Sequence, residues 1–329
     1  MKGYFNHEYK KTTNSTHEKK TKSNTNEEVN LLSIAWIFGL ILLAHQGETT
    51  PEPDSLLILH DQEPVVRVNR ADFSLPIVGY PFIDVEEFNQ LSDELDKHVR
   101  QQATDAIIDE HGKIVPEKAG IELNRDRFEK QFYSFFHEKN QSSIELPLRS
   151  VYPRVDSELL SNIKTKLIGH YVTYFNSYNV ERSHNIGLAT AAINNHVVFP
   201  GETFSFNEIV GMRTKEKGYL PAPIIVRGEL SEGIGGGICQ VSSTLFNAAD
   251  RSGLHILKRY SHSKRVPYVP PGRDATVSWY GPDFTFKNKY NQPILIRAQA
   301  ISGMMSITIF SSDNINVKPR QIPSMGYYR

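Results

Sequence analysis

Apolar and polar positions alternate with different periods along this chain, and the changes of period mark its elements. Residues 55–70, "SLLILHDQEPVVRVNR", give two short strand-like runs. From Asp84 the period becomes helical: Val85, Phe88, Leu91, Leu95 and Val99 share one face, and Asp84 stands where an N-cap belongs. "DAIIDEHGKIVPEKAGIELN" reads as strand, tight turn at His111-Gly112, and strand. Asn124 can cap a second helix with Phe128, Phe132, Phe135 and Phe136 on its inner face, and "SIELPLRSVYPRV" follows as an alternating strand with Ile144, Leu146 and Leu148 inward. Residues 46–155 are thus expected to form a small α+β domain.

Beyond Asp156 the pattern restarts. A helix is expected over 181–198 with Ile186, Ala189 and Ile193 inward, ending near Asn194-Asn195. After a turn at Pro200-Gly201 comes a strand carrying Phe204 and Phe206, and then a strand in "LPAPIIVRGEL". A helix follows Cys239 with Val241, Leu245, Ala248, Ala249 and Ser252 on one narrow face, stopped by Gly253. "GLHILKRYSHS", "DATVSWYG", "DFTFKN" and "QPILIRAQAISGMMSITIF" all read as strands. The order favours α+β: a mainly antiparallel sheet domain with a central helix over 156–312, followed by a C-terminal tail over 313–329.

The N-terminus has neither period. Residues 1–30 are rich in Lys, Thr, Asn and Ser and read as a disordered basic tail. Residues 31–44, "LLSIAWIFGLILLA", are apolar except for Ser33; this run within 31–45 is short of the ~20 residues that span a bilayer comfortably, but suits the core of an export signal or signal anchor. Lysines precede it and Glu48 and Glu52 follow, which places the N-terminus inside and the remainder outside. The expectation is a single-pass membrane protein with an extracytoplasmic C-terminal region, or a protein secreted to the cell wall. "QGETTPEPDS" is a polar linker.

Charge and composition narrow the classes. Lys+Arg and Asp+Glu both number 37, so the net charge is zero, and no basic cluster interleaved with aromatics points to nucleic acid. The chain has one cysteine, which excludes an internal disulfide and an all-cysteine zinc site. No two histidines share an i, i+4 helical face, so no metal site is expected. "GIGGGI" is neither the dinucleotide fingerprint nor a Walker loop, and no cofactor is implied.

The single cysteine stands in "GIGGGICQVSSTLFNAADRSG", at a glycine-rich entrance to a helix. Backbone amides and the helix dipole at that end favour a thiolate. Gly235, Gly236 and Gly237 clear the approach to the sulfur, and the amides of Ile238 to Gln240, with the Gln240 side chain, can donate to an oxyanion. Ser242 and Ser243 belong to the same candidate loop. Downstream, His262 in "RYSHSKRV" and Asp274 in "PGRDATVSW" fall at the facing ends of two expected strands, a placement that suits a base and its orienting partner. That chain order is similar to the transglutaminase-like cysteine hydrolases, without their aromatic residue after the histidine and with compressed spacing. The alternatives are a small thiol filling a tight corner, an Asp274 that only caps a turn, and His170, His184, His196 or His255 as the base.

Residues 171–300 resemble the VanW family in "TYFNSYNVERSHNIGLATAAIN", "PGETFSFNEIVGMRTKEKGYLPAPIIVRGEL", "GIGGGICQVSSTLFNAADRSGL" and "YSHSKRVPYVPPGRDATVSWYGPDFTFKN". The preceding region, through "DAIIDEHGKIVPEKAGIELN" and "IELPLRSVYPRV", resembles the peptidoglycan-binding domain found upstream of VanW domains. The resemblance implies a bacterial, exported envelope protein whose partner is peptidoglycan or its peptide precursors. It places weight on Gly236, Gly237, Cys239, Gln240, Ser242, Ser243, His262, Ser263, Asp274 and Asn288, and brings no catalytic role with it. Two readings follow: a cysteine hydrolase or acyl transferase acting on wall peptides, or a non-catalytic module gripping wall peptide or lipid-linked phosphate, of the glycopeptide-resistance accessory type. A structural spacer at the membrane surface is a third.

Overall fold

A computed structural model describes residues 54–75, 82–138, 142–226 and 229–324. The basic tail over 1–30 and the apolar segment 31–44 lie outside the described residues. Among those described, no helix is long and apolar enough to cross a membrane. The chain forms two compact units, one from the described residues up to His98 with Leu123–Leu148, the other from Val99–Glu122 with the described residues from Arg149 onward.

The first unit pairs Ser55–His60 antiparallel with Glu63–Asn69 and parallel with Ser143–Glu145. Its helices are those that capping and period predict. The Asp84 carboxylate accepts from the amides of Glu86 and Glu87 ahead of Val85–Val99, and Asn124 Oδ1 accepts from Arg127 ahead of Arg125–Glu138. Phe128, Phe132, Phe135 and Phe136 are buried, and Phe132 stands 5.0 Å from the rings of both Phe73 and Phe88. The aromatic face is core.

The second unit is built on an antiparallel four-stranded sheet of β1 (Lys166–Tyr174), β2 (His196–Val198), β8 (Ile294–Ile301) and β9 (Met304–Ser311), in the spatial order β1-β9-β8-β2. Helix α1 (Val180–Ile193) packs on β8, and α3 (Ile238–Arg251) packs on β1 and β9. Strand alternation explains both faces. Ile294, Ile296, Ile307 and Ile309 join the cluster that holds the apolar stripe of α3. Leu295 and Val197 point the other way, into a smaller cluster with Ala106, Ile108, Val155, Leu160 and Ile163.

That second cluster is why residues 99–122, grouped by sequence with the N-terminal domain, pack in this unit. The Asn195 side chain both donates to and accepts from the backbone of Ile108. The segment after 313 also packs here: Ile315 is buried, and Arg320 bonds Asp250 at 2.6 Å. Together the units make an α+β protein with mostly antiparallel sheets.

Four elements differ from the sequence expectation. "SIELPLRSVYPRV", expected as one alternating strand, is broken into Ser143–Glu145 and Leu148–Val151, which join different sheets. Phe206 does not continue the strand β3 (Thr203–Ser205). It opens the short helix α2 (Phe206–Val210), because Ser205 Oγ accepts from the Glu208 amide, an N-cap with its Ser-x-x-Glu spacing. "LPAPIIVRGEL" supplies β4 (Pro221–Val226) and the start of β5 (Glu229–Ile234), a hairpin rather than a single strand. Of the strands expected around His262 and Asp274, only β6 (His255–Lys258) forms; with β7 (Thr285–Lys287) it pairs in a sheet ordered β3-β7-β6. Residues 259–262 and 273–278 join no ladder.

The contact between α3 and β1 depends on Gly169. A Cβ there would lie 2.6 Å from the Ala248 carbonyl and would overlap Ser252 Oγ. Gly169→Ala is therefore expected to cost about 1–3 kcal/mol, read as a lowered midpoint in thermal unfolding of the purified protein.

Candidate active site

The α3 helix has two faces. Val241, Leu245, Ala248 and Ala249 form the apolar one. Cys239, Ser242, Ser243, Asn247 and Asp250 fall at helical spacing on another, and this polar face is turned toward residues 273–277. Ser242 Oγ donates to the Ala275 carbonyl at 2.6 Å, and the Ala275 amide donates to Ser243 Oγ at 2.8 Å. Asn247 Nδ2 donates to the Arg273 carbonyl at 2.7 Å, and Arg273 Nε donates back to Asn247 Oδ1 at 2.7 Å. Asp250 pairs with the same guanidinium at 2.8 Å. At the top of the row the Val277 amide and carbonyl each lie 3.5 Å from Cys239 Sγ, with Thr276 Oγ1 at 3.6 Å. An irregular segment thereby gains, from a helix, the partners that a strand would take from its neighbours.

This fastening places the three chemical groups. Asp274 Oδ2 accepts from His262 twice, from the backbone amide at 2.6 Å and from ring Nδ1 at 2.7 Å, so Nε2 is the ring nitrogen not held by the carboxylate. The His262 ring and Cys239 line the same cleft, near enough for the imidazole to act on the thiol. Cys239, His262 and Asp274 are thus brought together, though no pair of strands holds them.

The electrostatics follow from opposed terms. Burial alone would raise the Cys239 thiol, but the hydrogen bond and charge of His262 outweigh it, helped by the Val277 amide, and hold the thiol below its ordinary value. Burial lowers the imidazole, yet Cys239 and Asp274 together hold it above its usual value. Burial opposes ionisation of Asp274 too, while the His262 amide and ring keep its carboxyl below the usual carboxylate range. Each of the three shifts favours the charged form of its group.

The group opens on a cleft of about 470 Å³. Its floor is the entrance to α3, where Gly237 is the N-cap with φ 104°, a left-handed conformation that also lets Arg182 pass close by. Gly235 lines the cleft, whereas Gly236 is buried against the Ala222 backbone, where a Cβ would stand 2.6 Å from the carbonyl oxygen. The Gln240 side chain is fully engaged, accepting from Arg182 at 2.6 Å and donating to Thr173 Oγ1 and the Tyr174 carbonyl. It holds an arginine rather than an oxyanion. The amides of Ile238 and Gln240 pair with the carbonyls of Gly235 and Gly237. Ser242 and Ser243 lie beneath the cleft.

None of the alternative histidines joins this group. His184 Nε2 bonds the Gly218 carbonyl, His170 bonds Ser306, His196 packs edge-on to Phe204, and exposed His255 lies in β6. Asn288 is buried and braces the carbonyls of Val198 and Gln292. Arg182 and Tyr268 are the cleft residues that sequence reasoning passed over. Burial raises the Tyr268 phenol well above its ordinary value, so it lines the cleft as a neutral donor. The candidate metal cluster among the described residues, His60, Asp61 and Glu145, is in the first unit and half exposed to fully exposed.

At the entrance to α3 the structure thus gathers a cysteine, a histidine and an aspartate, with the last two hydrogen-bonded. The family model for VanW like protein matches residues 181–310, which contain all three. The chain is 56% identical over 287 residues to Uncharacterized protein YoaR of Bacillus subtilis (strain 168), covering 87% of this chain and 94% of that protein. It is 31% identical over 125 residues to Vancomycin B-type resistance protein VanW of Enterococcus faecalis (strain ATCC 700802 / V583), covering 36% of this chain and 46% of that one. This chain belongs to the VanW-like family. No solved structure matches it.

The pH dependence of Cys239 alkylation tests the electrostatics. With iodoacetamide, the inflection is expected below the ordinary thiol range of about 8.5–9. In His262→Ala it moves upward past that range, because burial then acts without its counterweight.

Proposed function

We propose that this VanW-like protein is an exported envelope enzyme whose Cys239 transfers acyl groups of peptidoglycan stem peptides. The observation that carries the reading is the series Cys239–His262–Asp274, with 2.7 Å between imidazole and carboxylate and the thiol held low by the imidazole. Cys239 Sγ attacks a peptide carbonyl and forms a thioester. His262 passes its proton to the departing amine as the C–N bond breaks. Water then releases the acid, or the amine of a second peptide forms a new amide; either gives its proton to His262 and returns the thiolate. Asp274 fixes the ring orientation and supports the imidazolium throughout.

Peptidoglycan as the substrate is supported by the likeness of the preceding region to wall-binding domains and by the lysine-flanked apolar segment at 31–44, which suits export with membrane anchoring. The name of one relative ties that protein to vancomycin resistance.

Incubation of the protein with purified sacculi, followed by mass analysis of the soluble fragments and crosslinks, tests the reading. Cys239→Ala is expected to lose at least ~10³-fold in rate while still binding the wall, and Asp274→Asn about 10²–10⁴-fold. Unchanged product patterns in Cys239→Ala would leave the binding module as the function.

A further inference from the structure

The cleft beside Cys239 is electrostatically one-sided. Two helices begin at it: α1, whose cap Asn179 and first-turn Arg182 line the cavity, and α3, which presents Gly237 and Cys239. Each adds the partial positive charge of its N-terminus. Arg182 carries a full charge, and no Asp or Glu lines the cleft among the described residues. The stem of a second arginine, Arg213, lies against Gly235; its guanidinium sits over the Phe206 ring, with both terminal nitrogens buried and without a hydrogen-bond partner among the described residues. The Asp274 carboxylate behind His262 is committed to that residue, and Asp283, which acts on Arg213, is bonded to Ser205 and the Asn207 amide. Both arginines are close enough to feel the charge on Cys239.

Arg182 is also held in place. Gln240 Oε1 accepts from its terminal nitrogen at 2.6 Å, and Gln240 is itself fixed by Thr173 and the Tyr174 carbonyl. This is a preorganised cation in a pocket whose lining, among the described residues, includes no carboxylate, and the thiol that shares the cleft has His262 beside it; such an arrangement suits recognition of a carboxylate. We propose that Arg182 anchors the terminal carboxylate of the peptide that Cys239 attacks, so that the site acts at a free C-terminal end and releases a carboxylate-bearing amino acid. This deepens the acyl-transfer reading and rests on it for the chemistry, though not for the recognition.

Binding separates the two. The full chain carrying Cys239→Ala is titrated by calorimetry with a muropeptide whose stem ends in a free carboxylate, and with the same muropeptide amidated at that end. The free acid is expected to bind about tenfold or more tightly than the amide. Adding Arg182→Gln should remove the preference, while Arg182→Lys should keep part of it, showing that charge and not folding is responsible. Equal binding of acid and amide, a preference that survives Arg182→Gln, or binding of neither peptide would overturn the proposal. So would a preference set only by amidation of a side-chain carboxylate. A wild-type protein that binds the acid selectively yet releases nothing would count against the acyl-transfer reading and leave the anchor standing.

Discussion

Buried hydroxyl and amide groups on one face of α3 occupy positions where a core helix ordinarily carries methyl groups, and they bond to the backbone of an extended segment that belongs to no sheet. Without Ser242, Ser243 and Asn247 the polar groups of residues 273–275 would be buried without partners, at a cost of about 1–3 kcal/mol each. Asp274 sits in the middle of that fastened stretch, and through it His262 is set in orientation. Cys239 tops the same helical face. One row of side chains thus fixes both Cys239 and the segment that orients His262, so their relative motion is limited by a rigid element.

The same helix joins the cleft to the sheet. Thr173 on β1 bonds Thr244 and Gln240 of α3, and Gln240 bonds Arg182 of α1. The sheet, the helix that carries Cys239 and the Arg182 cation are therefore held in one polar network, whose members are each satisfied by the next. Burial around Cys239 opposes the thiolate by itself; the neighbouring His262, with the Val277 amide and Thr276, reverses the sign. A thiol in that corner without the imidazole would be inert packing, so the two readings of the cysteine differ by a single neighbour.

Local signals were readable and long-range ones were not. The caps at Asp84 and Asn124, the aromatic face, the hairpin turn at His111-Gly112 and the apolar stripe of α3 follow from spacing within one or two turns. Cys239, His262 and Asp274 were legible as a set from their residue types and order. The means of holding them was not: a polar helical stripe is visible in Ser242, Ser243 and Asn247, but period alone does not say whether it meets solvent or a segment about thirty residues away. Arg182 is in the same position, since its role depends on Gln240 from another element. The start of α2 was different, a local Ser205-x-x-Glu208 signal that two phenylalanines in alternation concealed.

The account stands on Cys239 becoming covalently loaded. Intact-mass spectrometry of protein mixed with muropeptides and quenched in acid within the first turnover reads this directly. The account predicts a mass increase equal to the transferred acyl group, confined to the peptide containing Cys239, removed by hydroxylamine and absent from Cys239→Ala. Release of wall fragments with no adduct on Cys239, or an adduct on another residue, would contradict it.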